Sequence, residues 1–257
     1  MEFKNKFACL VLCLLFITVG SFAQNSNVGL FFYTTAYAES DSTAFMEKQS
    51  NTLKDDLMYS YGFRASSYPN YSKVNFLNSI ENECRSDSSK HLFIYITGRI
   101  HKDDNGSFLL LNSSDESDPA SMISMDEITA ILTNCNSQHV LAFLDVPGTG
   151  VLKDSKEFEE AEFEDVTDLT GRDLINNERV IPAKFLIASN ADSIDMGGSR
   201  HYSVLSGRFL EALRNYGEDD GVLTIEELSY YVNNIEPSPF IGIYKPTKGS
   251  DFLFISK

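Results

Sequence analysis

Cationic side chains are scarce in this chain: 21 Lys and Arg stand against 37 Asp and Glu in 257 residues, a formal net charge of −16. A surface this acidic repels phosphate backbones, which argues against nucleic acid as a partner and suits an exported protein kept soluble by its charge. Long apolar runs are scarcer still. The one of note is Phe7–Val19, behind Lys4 and Lys6 and ahead of Gly20-Ser21-Phe22-Ala23. It is too short for a membrane anchor and has the order of a secretory leader: basic start, apolar middle, and small residues before a cut between Ala23 and Gln24. Cys13 follows Leu12 rather than a small residue, which argues against a lipoprotein-type signal. Residues 24–257 are therefore expected as one mature domain without a membrane span, located in the periplasm or outside the cell. There is no internal repeat.

Cysteine and histidine are also few. Cys9 and Cys13 leave with the leader, so Cys84 and Cys135 remain. Each closes a predicted helix just before a core strand, so the two thiols meet at one edge of the sheet if those strands are neighbours. The pattern fits one disulfide or two separate, half-buried thiols. His91, His139 and His201 have no evident partner and read as surface or structural residues.

What is present is an alternation of strand-length apolar runs with helical patterns. Asn27–Thr34, Leu92–Thr97, Val140–Asp145 and Lys184–Ala188 read as buried strands, with Phe63–Ser67 a shorter one and Asp251–Ser256 a last one. Glu39–Tyr59, stopped by Tyr61-Gly62-Phe63, and Tyr71–Cys84, Tyr202–Tyr216 and Thr224–Val232 read as helices. Ser124 with Glu127 three residues on is a capping box opening another. Arg99–Asp104 and Ser107–Leu111 form a hairpin closed by Asn105-Gly106. Val151–Arg179 is dense in acid and reads as a long surface loop with at most a turn of helix. Strands joined by helices imply an α/β domain with a mostly parallel central sheet covered on both faces. Ligands of such sheets bind outside the carboxyl ends of the strands. Two Gly-containing turns sit there: Thr97-Gly98-Arg99-Ile100 and Asp145-Val146-Pro147-Gly148-Thr149-Gly150.

These two strand ends resemble those that carry the catalytic pair of caspase-like cysteine peptidases, including metacaspases and bacterial caspase-like domains. In that family the first strand ends in Ser-Gly-His-Gly and the second in Asp-Ala-Cys-His-Ser-Gly or a close variant. Further likeness lies in Tyr61-Gly62-Phe63, in Ser203–Leu213 (SVLSGRFLEAL), in Gly217–Val232 (GEDDGVLTIEELSYYV) and in the closing Pro237–Ser256 segment, so it covers most of Val28–Lys257. The resemblance implies a caspase-like sandwich. It also exposes a departure: Arg99 stands at the family's His position and Pro147 at its Cys position. Proline has no nucleophilic atom, and arginine stays protonated and accepts no proton.

His101, one strand repeat beyond Arg99, and Thr149, the only hydroxyl of the second turn, are the weak substitutes for a catalytic pair. Cys135 belongs to the opposite end of the sheet. Asp145 aligns with the family's Asp before the Cys, which in metacaspase relatives lines a pocket for a basic side chain; Asp192 resembles its acidic partner. The alternatives are that Asp145 caps the turn through backbone N–H groups, or that Arg99 fills the pocket and blocks it. Asp219-Asp220-Gly221 with Glu227 lacks the first carboxylate of an EF-hand loop, since that position is Tyr216, so it reads as a turn before a helix. His101–Gly106 likewise reads as a hairpin turn. No metal site or cofactor is expected; calcium, used by some metacaspases, is the one cation the resemblance suggests. The function this implies is an exported pseudo-peptidase that binds a peptide or protein without cutting it. The alternative is an active endopeptidase of the family working with a non-standard residue set.

Overall fold

The computed structural model describes residues 27–35, 40–85, 91–104, 106–112, 114–154, 156–163, 181–192, 202–219, 221–245 and 250–257. The leader, Asn105, residues 164–180 of the acidic segment, His201 and Asp220 lie outside these residues. In chain order the elements are β1 (Asn27–Tyr33), α1 (Ser40–Ser60), β2 (Arg64–Pro69), α2 (Lys73–Arg85), β3 (His91–Thr97), β4 (Ile100–Asp103), β5 (Gly106–Leu109), β6 (Ile123–Ser124), α3 (Met125–Thr133), β7 (His139–Asp145), β8 (Glu159–Glu160), β9 (Ile181–Pro182), β10 (Lys184–Ala188), α4 (Val204–Asp219), β11 (Val222–Leu223), α5 (Ile225–Val232), β12 (Phe240–Tyr244), β13 (Ser250–Asp251) and β14 (Phe254–Ile255).

Seven strands form the central sheet in the order β2-β1-β3-β7-β10-β12-β8. The first five run parallel; β12 is antiparallel to β10, and β8 to β12. Strand alternation sends successive aromatic side chains to opposite faces. Phe32 packs with Tyr71 and Phe76 on the face covered by α2 and α3. Phe31 packs with Phe93 and Tyr95 on the face covered by α1, α4 and α5, where Leu53, Leu57, Phe209 and Leu228 complete the core. The expected α/β architecture, mostly parallel and covered on both faces, is the one observed.

Local signals act where they were expected. The N–H groups of Tyr61 and Phe63 both return to Leu57 O, at 3.2 and 3.0 Å, and Gly62 adopts a left-handed φ of 72°, so α1 stops there. Ser124 Oγ accepts from the Glu127 N–H at 3.1 Å while the Glu127 carboxylate accepts from the Ser124 N–H at 2.9 Å, completing the capping box of α3. β3 and β7 are neighbours, and Cys84 and Cys135 form a disulfide with a Cα separation of 4.6 Å. No helix among the described residues is long and apolar enough to cross a membrane.

Three expectations need correction. The segment from Val151 is not wholly a surface loop: Leu152 and Phe158 are buried, and Glu159–Glu160 pair with Gly242 and Ile243 at the sheet edge. The expected last strand is two short ones, β13 pairing with β9 and β14 with β11, because Phe252 and Leu253 between them turn into the core. Finally β12, a full member of the central sheet, lies in the Pro237–Ser256 segment that had been read as part of a closing strand.

Candidate functional site

The parallel run β3-β7-β10 brings the carboxyl ends of three strands to one edge, with Thr97 directly beside Asp145. Beyond Asp145 the turn Val146–Gly150 folds tightly against its surroundings. The N–H groups of Gly148, Thr149 and Gly150 donate to Ala191 O, Val146 O and Ser189 O at 2.7, 3.3 and 2.8 Å. Pro147 has no N–H to donate. The turn therefore offers neither a nucleophilic side chain at 147 nor a free N–H at residues 147–150 for a developing oxyanion. Gly148 adopts φ 78°, and a Cβ there would lie 2.8 Å from Lys102 Nζ and 3.8 Å from Ile100 Cγ2. The faces of β4 that carry Ile100 and Lys102 thus look onto the turn.

That contact decides the position of His101. Side chains alternate along a strand, so His101, between Ile100 and Lys102, faces away from the turn. Its Nδ1 lies 3.6 Å from Glu116 Oε2. Thr149 is buried and its hydroxyl donates to Val146 O at 2.8 Å. The structure does not bring these two residues together, and the expectation that His101 shares a face with the cleft is corrected by its register. Arg99 is exposed just after β3, and Asp145's hydrogen bonds go elsewhere, so the self-blocking Arg99–Asp145 pair is not formed.

Asp145 itself is 4% exposed and is held from several elements. Its Oδ2 accepts from Gln49 Nε2 on α1 at 2.8 Å, from Ser206 Oγ on α4 at 2.5 Å, from Ser203 Oγ at the start of α4, and from the Tyr95 hydroxyl on β3 at 3.4 Å. The donors also hold one another. Gln49 Oε1 accepts from the Ser203 N–H at 2.6 Å, Gln49 Nε2 also donates to Tyr95, and Tyr95 and Ser206 hydroxyls lie 3.0 Å apart. Burial pushes the Asp145 carboxyl above the usual aspartate value, with the bonds from Ser203, Ser206, Gln49 and Tyr95 pulling against it. Burial and the nearby Asp145 charge push the Tyr95 phenol well up. The expected capping role is corrected: the turn's N–H groups are taken by carbonyls, and side chains satisfy Asp145.

Asp145 also lines a small cleft of about 30 Å³ with Pro147, Ser189, Asn190, Ser203 and the Ile235–Pro239 segment. Asn190 Nδ2 donates to Ser238 O, tying the segment after β10 to the opposite loop. Asp192 is exposed two residues beyond Asn190 and is not part of that lining. Gln49, Tyr95, Ser203 and Ser206 were not legible as site residues. At most, Ser203 three residues before Ser206 carries the spacing of a helix cap, and its hydroxyl accepts from the Ser206 N–H at 3.0 Å. His91 and His139 stack at 4.5 Å at the other end of β3 and β7, and His139 Nδ1 lies 2.8 Å from Asp251 O. Among the described residues no group of three or more His, Cys, Asp or Glu is arranged to hold a metal ion.

No protein-family model and no curated protein matches the chain. Solved structures do. The Drosophila initiator caspase Dronc superposes with a TM-score of 0.55 at 11% identity, over 88% of this chain and 82% of that one. Caspase-1 from Spodoptera frugiperda matches with a TM-score of 0.49 at 12% identity, over 86% and 89% of the two chains. The first of these establishes a caspase-like fold, and at such identities it establishes the fold alone.

Proposed function

We propose that this chain is an exported, non-catalytic member of the caspase-like group that holds a basic side chain of a peptide or protein partner in the Asp145 cleft. The observation that carries the reading is the pairing of a buried carboxylate at the cleft wall with a turn in which Pro147 supplies neither nucleophile nor N–H. A peptidase needs a thiolate or hydroxyl beside a base and donors aimed at the oxyanion. A binding protein needs only the cleft and its charge. Asp192 is assigned as a second acidic group near its mouth. Export is supported by the leader-like residues 1–23 and by the Cys84–Cys135 disulfide, which persists in an oxidising compartment such as the periplasm or extracellular space. A regulatory role, in which the protein sequesters a substrate or pairs with an active relative, follows from binding without cutting.

The test is hydrolysis of a fluorogenic peptide panel with Arg, Lys or Asp at the cleavage position, with and without calcium. The wild-type protein is expected to be silent. The Arg99→His, Pro147→Cys double variant is the control for the alignment with the family's pair, and cleavage by it supports that alignment. Cleavage by the wild type overturns the non-catalytic reading.

A further inference from the structure

The two edges of the central sheet are finished differently. From the open one we infer that two copies of this chain pair antiparallel along β2, with Ser66 on the two-fold axis, to make one continuous sheet. At the far edge β8 is two residues long, and both are exposed glutamates. A short, charged strand is one way a sheet edge avoids further pairing. β2 has six residues in unbroken register with β1, and no strand pairs on its outer side among the described residues. The Asn70 N–H donates to Tyr33 O at 2.8 Å, so residue 70 turns its N–H toward β1. Alternation then directs the main-chain groups of Arg64, Ser66 and Tyr68 to β1 and leaves the N–H and C=O of Ala65 and Ser67 pointing outward.

An outward row of donors and acceptors fits an extended backbone, and the side chains choose which one. From Leu57 to Ile80 the sequence has no acidic residue, in a chain with 37 Asp and Glu against 21 Lys and Arg. Arg64 is the only charge on β2, and Glu83 of α2 pairs with it at 3.1 Å. Elsewhere a surface this acidic repels a second copy; this edge does not. The edge is also self-complementary. In an antiparallel two-fold pair centred on Ser66, Ala65 of one copy exchanges both hydrogen bonds with Ser67 of the other, and the axis repeats the exchange. Ser66 meets its own counterpart with a small side chain. Arg64 stands opposite Tyr68 of the second copy, on the face that Val28, Leu30 and Phe32 carry in β1. A guanidinium thus meets an aromatic ring, and no like charges face each other. Pro69 lacks an N–H and ends the pairing on each side. The Asp145 turn lies three strands in, at the end of β7, so the association does not rest on the function proposed for it.

The contact is small, so the expected dimer is weak and concentration-dependent. In sedimentation equilibrium the apparent mass of the wild-type protein is expected to rise toward double between about 1 µM and about 1 mM. Association is expected to tighten in about 0.5 M NaCl, where the net negative charge is screened. Ser67→Pro removes an outward N–H and no bond to β1, and Ser66→Lys sets two ammonium groups face to face. Each is expected to weaken association by about tenfold or more. A circular-dichroism melt checks their fold, and either folded variant suffices. Ser66→Cys reads the register. Cys84 and Cys135 are already joined, so the new thiol is expected to cross-link two copies under mild oxidation. Arg64→Cys, which lies opposite Tyr68 rather than itself, is expected not to. A wild type that keeps the mass of one copy up to about 1 mM overturns the proposal. So does a dimer that a folded Ser67→Pro or Ser66→Lys variant leaves intact, because the interface then lies elsewhere. A dimer that salt dissolves rests on ion pairs and overturns it as well. Cross-linking by Arg64→Cys without cross-linking by Ser66→Cys overturns the antiparallel register.

Discussion

Two aspartates are enclosed at opposite ends of this sheet, and they are held in opposite ways. Asp251, beside the first residue of β7, receives backbone N–H groups: those of Ile225 at 3.0 Å and Phe252 at 2.7 Å. Asp145, the last residue of β7, receives only side chains, and it lines a small cleft. Backbone donors come with the fold, and Asp251 acts as a cap on α5 that joins β13 to that helix. Side-chain donors have each to be supplied by a particular residue, and four are supplied to Asp145. The Asp251 end is also closed covalently by Cys84–Cys135 and packed by the His91–His139 stack. One end of the sheet is tied shut, and the other presents a charge.

The sharpest way to break this comparison is pH. Burial raises the Asp251 carboxyl from 3.8 to about 7, with the neighbouring Glu227 and Glu226 adding to the shift and its two N–H bonds opposing it. A folded chain that keeps a proton which the unfolded chain has released binds more protons, so stability falls as pH rises between about 4 and 7. The loss is on the order of 4 kcal/mol at the top of that window, about three pKa units. Asp251→Asn, which stays neutral and still accepts both N–H bonds, is expected to gain on the wild type progressively across the window in urea titrations. His139 works in the other direction, since burial lowers its pKa and stability rises with pH as the unfolded imidazole loses its proton. The difference between variant and wild type therefore isolates Asp251. Asp145→Asn shifts stability in the same direction, but it alone abolishes ligand binding. A variant pair that loses binding equally sinks the distinction between the two ends.

The covalent tie is the next largest effect. The disulfide closes a loop between residues 51 apart in sequence, so Cys84→Ser, Cys135→Ser is expected to cost about 2–4 kcal/mol in denaturant unfolding. Binding at the far end of the sheet should be unchanged. Loss of affinity in a variant that is still folded would mean that the two ends are coupled, contrary to the division argued above.

How much of this was legible in the sequence follows the same division. β1, β3, β7 and β10 are runs of apolar residues, and the position of Cys84 and Cys135 before neighbouring strands is local information. The α3 cap needs only Ser124 and Glu127. β8 was hidden because its two glutamates sit at a sheet edge, where pairing needs no apolar pattern. β12 was hidden because five residues behind a proline-rich turn, with Gly242 among them, carry little strand signal. At the cleft, Asp145 was readable as a candidate, but its environment was not. Gln49 and Ser203, which fix it, are 154 residues apart, and neither differs locally from a polar residue on a solvated helix surface. His101 failed for a related reason: alternation alone cannot say which face of a hairpin turns inward, and the contact of Lys102 with Gly148 settles it.

The smallest expected effect tests that last point. Thr149 was the only hydroxyl in the second turn, and its position leaves two readings that a single substitution separates. If its hydroxyl serves only the turn, Thr149→Val loses one buried hydrogen bond to Val146 O and leaves that carbonyl with the Thr149 N–H as its remaining donor. The cost is then about 1 kcal/mol, with affinity for a basic peptide unchanged. Replacing His101 with Ala removes a partly exposed ring beside Glu116 and should shift stability by less than that, about 0.5 kcal/mol or below. If instead either substitution removed a measurable peptide-cleaving activity, the hydroxyl and the imidazole would have to meet in a rearranged turn. The β4 register would then have to slip by one residue, turning Lys102 away from Gly148 and His101 toward it.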